Sequence, residues 1–254
     1  MSDEKYHSSG PDFIIIGTQK GGTSSLYSYL GQHSQVELPT QKEIHFFDLK
    51  YIKGIEWYKD QFPSIDNNKV TGEASPYYIF HPFVAKRVYN HLPKIKLIVM
   101  LRNPIDRAYS NYMMQIDKKI EPLTFELAIE EEDKRLEGEI EKMLSTPNYN
   151  SFNLQKYSYI KRGEYYSQIK NWLKYFNLEQ FHFIKSEDFF NDPTKELFEV
   201  HDFLDIKQEK PISLKPVNTN EYQQMNPKTR KNLSLYFAEE SQKLSQLIGN
   251  NFNW

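Results

Sequence analysis

Four short apolar, largely β-branched runs punctuate the chain, at 12–17, 69–73, 96–102 and 180–185. The first and third are continuous rather than alternating, as in parallel strands covered on both faces. Between the runs, helical stretches are predicted at 23–33, 82–91, 104–117, 165–176, 194–204 and 228–247. Strands alternating with helices require right-handed crossovers. The pattern therefore predicts a three-layer α/β fold with a mainly parallel central sheet of about four to five strands flanked by helices. Ligands of such sheets bind at the carboxyl ends of the strands.

With 254 residues, 39% of them hydrophobic, the chain suits one domain over 12–254 with its own core. Residues 1–11 are polar and are expected to be disordered or loosely attached, and a helical excursion is expected near 121–147. The acids of that excursion, among them Glu126, Glu130, Glu131, Glu132 and Glu137, read as a solvated helix face or as a lid over an acceptor. A net charge of −2 argues against a protein that coats nucleic acid, so any anion site must be local. There is no cysteine, and hence neither a disulfide framework nor a thiolate metal site. No apolar run approaches the roughly 18 residues of a membrane helix, and a soluble, cytoplasmic protein without a membrane span is the expectation.

The segment Phe13-Ile-Ile-Ile-Gly-Thr-Gln-Lys-Gly-Gly-Thr-Ser-Ser-Leu26 carries the first candidate chemistry. It reads as a buried strand, a glycine-rich turn and a helix, the arrangement that aims backbone N–H groups and a helix N-terminus at an anion. Gly17 and Gly22 keep the spacing of a nucleoside-triphosphate loop, but Thr23 occupies the lysine slot and Lys20 lies inside the loop. Thr23, Ser24 and Ser25 add hydroxyl donors. The fold is thus P-loop-like, with a displaced lysine.

The third strand predicts the second candidate. Magnesium-dependent nucleotide hydrolases need an acid at the end of a neighbouring strand, whereas this strand runs into Arg102-Asn103-Pro104. Asn103 is a natural N-cap and Pro104 a natural first helical residue. Arg102 can clamp a phosphate with its forked donors, and Ser110 follows about two turns into the helix. Together with the Gly17 loop they suggest a nucleotide with two separated anionic ends.

Both segments resemble the nucleotide-binding signatures of sulfotransferases that use 3′-phosphoadenosine 5′-phosphosulfate, especially the heparan-sulfate type and its soluble bacterial relatives. The resemblance extends through Gln41-Lys-Glu-Ile-His-Phe-Phe-Asp48, Gly54-Ile-Glu-Trp-Tyr58, Gly163-Glu-Tyr-Tyr166, Lys185-Ser-Glu-Asp188 and the final Gly249-Asn-Asn-Phe-Asn-Trp254. It implies a sulfuryl donor held without metal and released as 3′-phosphoadenosine 5′-phosphate. Lys20, Gly21, Gly22, Thr23, Ser24 and Ser25 would hold the 5′-phosphosulfate, Arg102 and Ser110 the 3′-phosphate, and Tyr165 the adenine side. Lys20 would be catalytic at the transferring group. Glu43 would be the base, with His45 as a supporting or alternative group; an extended backbone would put the two on one side.

Departures from the family pattern bear on the acceptor. Ala74, in Thr71-Gly-Glu-Ala-Ser-Pro-Tyr77, stands where relatives often carry a lysine that holds an acidic sugar. The expected acceptor is therefore a neutral hydroxyl on a carbohydrate, lipid or small molecule, in preference to an amine. The counterpart of the family's C-terminal loop, 216–227, lacks the Lys-Gly-Arg cluster, leaving Asn218 or Lys228 to contact the 3′-phosphate. Tyr77, Tyr78 and Phe80 are candidates for either an acceptor wall or the core. The competing readings are a P-loop kinase or nucleotide hydrolase, disfavoured by the displaced lysine and Arg102, and a non-catalytic nucleotide-binding protein, disfavoured by Lys20 together with Glu43. Oligomeric state is not legible.

Overall fold

Five parallel strands make one sheet in the order β2-β3-β1-β4-β5, with β1 at Phe13–Gly17, β2 at Val36–Glu37, β3 at Val70–Ala74, β4 at Lys96–Leu101 and β5 at Phe181–Lys185. The coordinates are a computed structural model that describes residues 10–64, 66, 68–146, 148–217 and 223–254. Each predicted strand is present within one residue at either end. Sequence reading missed β2, because two residues at a sheet edge carry no periodic signal.

The described residues fall into two compact units, within Met1–Leu101 with Trp172–Thr219 and within Arg102–Asn171 with Asn220–Trp254. The first holds the sheet. Phe13 and Ile15 of β1, Ile98 and Met100 of β4 and Ile184 of β5 pack on one face with Leu26 and Leu30 of helix α1 (Thr23–Leu30) and with Leu197, Val200 and Leu204 of the helix Pro193–Leu204. Ile14, Ile16, Leu97 and Val99, which alternate with them, are also wholly buried, which explains the unbroken apolar runs. Full burial of such a side chain contributes roughly 1.5–3 kcal/mol. The order of the sheet reverses direction about β1 and β4, the position at which open parallel sheets bind ligands.

The second unit is helical. Its helix Pro104–Asp117 starts where the cap signals predict: the Asn103 side chain accepts from the N–H of Ile105 at 3.0 Å and of Asp106 at 3.4 Å, and Pro104 opens the first turn. The acidic excursion forms three short helices, Phe125–Glu130, Glu132–Leu136 and Glu139–Ser145. Two of its acids depart from the expected solvated face. Glu121 receives Arg135 at 2.6 and 3.1 Å and the Tyr159 hydroxyl at 2.7 Å. Glu132 accepts the backbone N–H groups of Tyr159, Ile160 and Lys161 at 3.0, 2.7 and 2.8 Å, and burial pushes its carboxyl up to about 7. These carboxylates hold the 159–161 turn, a role that charge pattern alone cannot reveal. Among the described residues no helix is long and apolar enough to cross a membrane. Asn218 and residues 1–9 lie outside the described residues.

Candidate active site

β1 delivers its chain into the turn Thr18–Gly22 at the sheet's carboxyl edge. Thr18 fastens the turn to β4, since its N–H and its Oγ1 both donate to the Met100 carbonyl, at 2.8 and 2.9 Å. The N–H of Gly21 returns to the Thr18 carbonyl at 2.9 Å, and the Gly21 carbonyl accepts the Ser186 hydroxyl at 2.7 Å. Both glycines are required sterically. A Cβ at Gly21 would lie 2.7 Å from Thr18 Oγ1 and 2.9 Å from the Met100 carbonyl; Gly22 has φ +99° and its Cβ would lie 2.8 Å from the Phe190 ring. Lys20, ahead of them, has φ 72°, a left-handed conformation that costs a side-chain-bearing residue about 1–2 kcal/mol.

Helix α1 begins at Thr23 with no side-chain cap, its N-cap residue Gly22 having none to offer. The N–H of Ser25 donates to the Gly22 carbonyl at 2.9 Å, so the N–H groups of Thr23 and Ser24 are the ones left at this helix end without an intrahelical acceptor, and the helix dipole adds positive potential there. Thr23 is buried and Ser24 half-buried. Ser25 is wholly buried, and its hydroxyl accepts the N–H of Val217 at 2.9 Å and is hydrogen-bonded to Tyr29. The N–H groups of Thr23 and Ser24, the close-approach glycines and Lys20 fit a phosphosulfate.

A second charged turn precedes helix α2 (Phe46–Leu49). Glu43 has φ 61° and His45 φ 55°. The expectation that an extended segment aligns them is thus corrected: they meet through two left-handed residues, with His45 Nε2 3.4 Å from Glu43 Oε2. The turn is over-determined by its neighbours. Phe46 and Phe47 are wholly buried, Phe46 stacked on Tyr58 with ring centroids 4.8 Å apart, and Arg87 donates to the Phe47 carbonyl at 2.7 Å.

Electrostatically the turn is one chain of groups. His45 Nδ1 donates to Asp48 Oδ2 at 2.7 Å, and Lys42 Nζ donates to Glu43 Oε1 at 2.7 Å. Burial opposes protonation of His45, but its hydrogen bonds to the Asp48 and Glu43 carboxylates outweigh it and push its pKa up to about 9. The hydrogen bond with His45 holds the Glu43 carboxyl down at about 2, aided by Lys42 and opposed by burial. At neutral pH the arrangement is an imidazolium between two carboxylates. Asp48, buried and carried on α2, was not singled out in the sequence; its i, i+3 relation to His45 is the signal that points to it.

Beneath this turn lies Glu73 of β3, wholly buried. It accepts the hydroxyls of Tyr58 at 2.7 Å, Tyr78 at 3.0 Å and Ser75 at 2.7 Å. Tyr78 is therefore core and not an acceptor wall.

Arg102 is the first residue after β4. In the same helical unit, Ser110 is buried on Pro104–Asp117, and Tyr165 is 2% exposed with its hydroxyl donating to the Arg102 carbonyl at 2.9 Å. Tyr165 thus braces Arg102 and presents no open ring face. Lys228 lies in the first turn of the helix Pro227–Ile248, where its N–H is capped by Asn226 at 2.9 Å. Among the described residues no group of His, Asp and Glu is arranged to hold a metal.

A parallel sheet whose first strand passes through a glycine turn into an uncapped helix defines an α/β protein of the phosphate-loop-like class. Within that class, residues 10–250 match the sulfotransferase domain family, and the chain belongs to it. It is 31% identical over 312 positions to the membrane-associated sulfotransferase kil1 of Dictyostelium discoideum, covering 96% of this chain and 66% of that protein. Heparan sulfate glucosamine 3-O-sulfotransferase 5 of Mus musculus is 35% identical over 198 positions, covering 77% and 54%. The chain thus spans between 54% and 66% of the length of these relatives. The crystal structure of a sulfotransferase from Alicyclobacillus acidocaldarius superposes with a TM-score of 0.79 at 30% identity, covering 94% of this chain and 96% of that one.

Proposed function

We propose that this chain moves a sulfuryl group from 3′-phosphoadenosine 5′-phosphosulfate to a hydroxyl. The observation that carries the reading is Lys20, set in a left-handed position of a glycine turn directly ahead of an uncapped helix. Lys20 and the N–H groups of Thr23 and Ser24 at the start of α1 bind the phosphosulfate and stabilise the charge that develops as its S–O bond breaks, a preorganised contact typically worth on the order of 3 kcal/mol in the barrier. Thr23, Ser24 and Ser25 orient it. Arg102, braced through Tyr165, and Ser110 take the 3′-phosphate.

Glu43 takes the proton of the acceptor hydroxyl as its oxygen bonds to sulfur, and the leaving phosphate keeps the electron pair of the broken bond. A carboxyl at about 2 is a weak base in isolation. Its task is to accept the hydroxyl's hydrogen bond and then its proton late, as sulfur draws electrons from the oxygen. His45 and Asp48 fix the direction of the Glu43 carboxylate, as a charged hydrogen-bond chain does.

The acceptor is a neutral hydroxyl of a carbohydrate, a lipid or a small molecule. Ala74 supports this, because the position is wholly buried and supplies no cation for an acidic sugar. Labelled donor and an acceptor panel test the proposal: neutral oligosaccharides, hydroxylated lipids, phenols and heparan sulfate. Label transfer to a neutral hydroxyl is expected. Calorimetry is expected to show binding of 3′-phosphoadenosine 5′-phosphate without magnesium, and binding of magnesium ATP alone would overturn the proposal.

A further inference from the structure

Glu73 places a wholly buried carboxyl in the core beneath the Glu43–Asp48 turn, where burial pushes its pKa up and the hydroxyls of Tyr58, Ser75 and Tyr78 act against that, and it touches no residue assigned to the reaction. Its partners show what it can do. Two of the three hydroxyls it accepts also reach the turn: the Tyr78 oxygen accepts the N–H of Phe46 at 2.9 Å and of Phe47 at 3.3 Å, and the Ser75 oxygen accepts the N–H of His45 at 3.3 Å. The third, Tyr58, gives its hydroxyl to Glu73 and only its ring to the turn, against Phe46 and Phe47.

The direction of these bonds follows from the acceptor. Each of the three bonds runs from a hydroxyl to a Glu73 oxygen, so the single hydrogen of each hydroxyl points inward. The hydroxyl lone pairs are then left facing outward, toward the N–H groups of His45, Phe46 and Phe47. Those N–H groups begin α2 and have no side-chain cap; without Tyr78 and Ser75 they would be buried donors lacking acceptors, which is costly. An amide at position 73 would present its own hydrogens and turn at least one hydroxyl around, exposing the turn to a donor where it needs an acceptor. The network thus transmits polarity as well as packing.

We propose that Glu73 is a positioning residue for sulfuryl transfer, acting through Tyr78 and Ser75 to hold the left-handed turn that aims Glu43 and His45. This rests on the reading of Glu43 as the base. It predicts an asymmetry among residues in the same buried cluster. Tyr78→Phe removes an oxygen that contacts the turn, and Tyr58→Phe removes one that contacts Glu73 alone, while both rings remain.

The test measures turnover, binding of 3′-phosphoadenosine 5′-phosphate, thermal midpoint and amide exchange at Phe46 and Phe47 in Glu73→Gln, Tyr78→Phe, Tyr58→Phe and Glu43→Gln. Expected for Glu73→Gln and Tyr78→Phe are a kcat lowered about tenfold or more, nucleotide affinity within about twofold of the parent and amide exchange faster by about tenfold. Tyr58→Phe, although it loses a buried hydrogen bond, should keep kcat within about threefold and leave the exchange of both amides unchanged. If Glu73→Gln does not fold, the contrast between the two tyrosine variants decides alone. Equal effects in both, or unchanged kcat in Tyr78→Phe while Glu43→Gln is inactive, overturn the proposal. Full turnover in Glu43→Gln overturns the base assignment instead, and the amide exchange still reports whether the network holds the turn.

Discussion

The glycine turn after β1 and the turn before α2 both hold charged side chains on left-handed backbone, yet they are stabilised differently. Around Lys20 the conformation is carried by the segment itself, with two glycines following, the Gly21 N–H bonded to the Thr18 carbonyl and a helix starting at once, while Thr18 and Gly21 are fastened in place by Met100 and Ser186. Around Glu43 and His45 there is no glycine. Their conformation is imposed from about thirty residues away, by Ser75 and Tyr78 working from Glu73, and by the burial of Phe46 and Phe47. The first turn is a contiguous glycine motif, and it is the one proposed to bind an anion. The second is a product of tertiary packing, in which strain at reacting groups is retained because the core over-determines it.

Removing the charged group from each turn has the largest expected effect. Glu43→Gln should lower kcat by on the order of 10²–10⁴, the usual span for a general base, with donor binding intact. Lys20→Ala should lower kcat by on the order of 10²–10³ and leave the thermal midpoint near that of the parent, because its contribution is made to the transferring group. Near-normal turnover in labelled-donor assays of either variant would remove that residue from the mechanism.

Stability against pH sharpens the contrast, since only the second turn holds a strongly shifted histidine. His45 titrates near 9 in the folded state against a reference of 6.5, so it adds stability fully below about 6.5 that is lost as pH rises through about 9. The shift corresponds to about 3 kcal/mol. Between about pH 6 and pH 10 the parent should lose on the order of 5–10 °C more in thermal midpoint than His45→Gln. Parallel curves would mean that the Asp48 and Glu43 contacts do not hold the proton.

The smallest effects separate backbone strain from crowding in the first turn. Gly22→Ala must accept φ +99° and a Cβ 2.8 Å from the Phe190 ring, whereas Gly138→Ala, also in a left-handed conformation, has φ +71° and nothing within 4 Å. Both should destabilise by about 1–2 kcal/mol from strain, with Gly22→Ala the more costly in denaturant titration. Equal losses would show that the half-exposed Phe190 ring moves aside.

Much of this arrangement was legible in the chain. The strand, the two glycines and Lys20 are contiguous, and Asn103-Pro104 announces the helix after β4 because caps act over three or four residues. Asp48 needed a short helix that begins in a left-handed residue, for which sequence gives no periodic signal. Glu73 reads as an ordinary strand residue. Only the pairing of β3 with β1 beneath the segment that carries Tyr58 and Phe46 makes it a buried hub.

The amino-acid sequence by itself determined the parallel α/β layout, the glycine turn after β1 and the family, since hydrophobic period, glycine placement and helix caps are properties of neighbouring residues. Tertiary structure decided which carboxylates are solvated, which form the floor of a reacting turn, and that Glu43, His45 and Asp48 share one proton-bearing chain. Those outcomes depend on burial and on hydrogen-bond direction between residues distant in the chain, and neither is encoded in any short stretch of it.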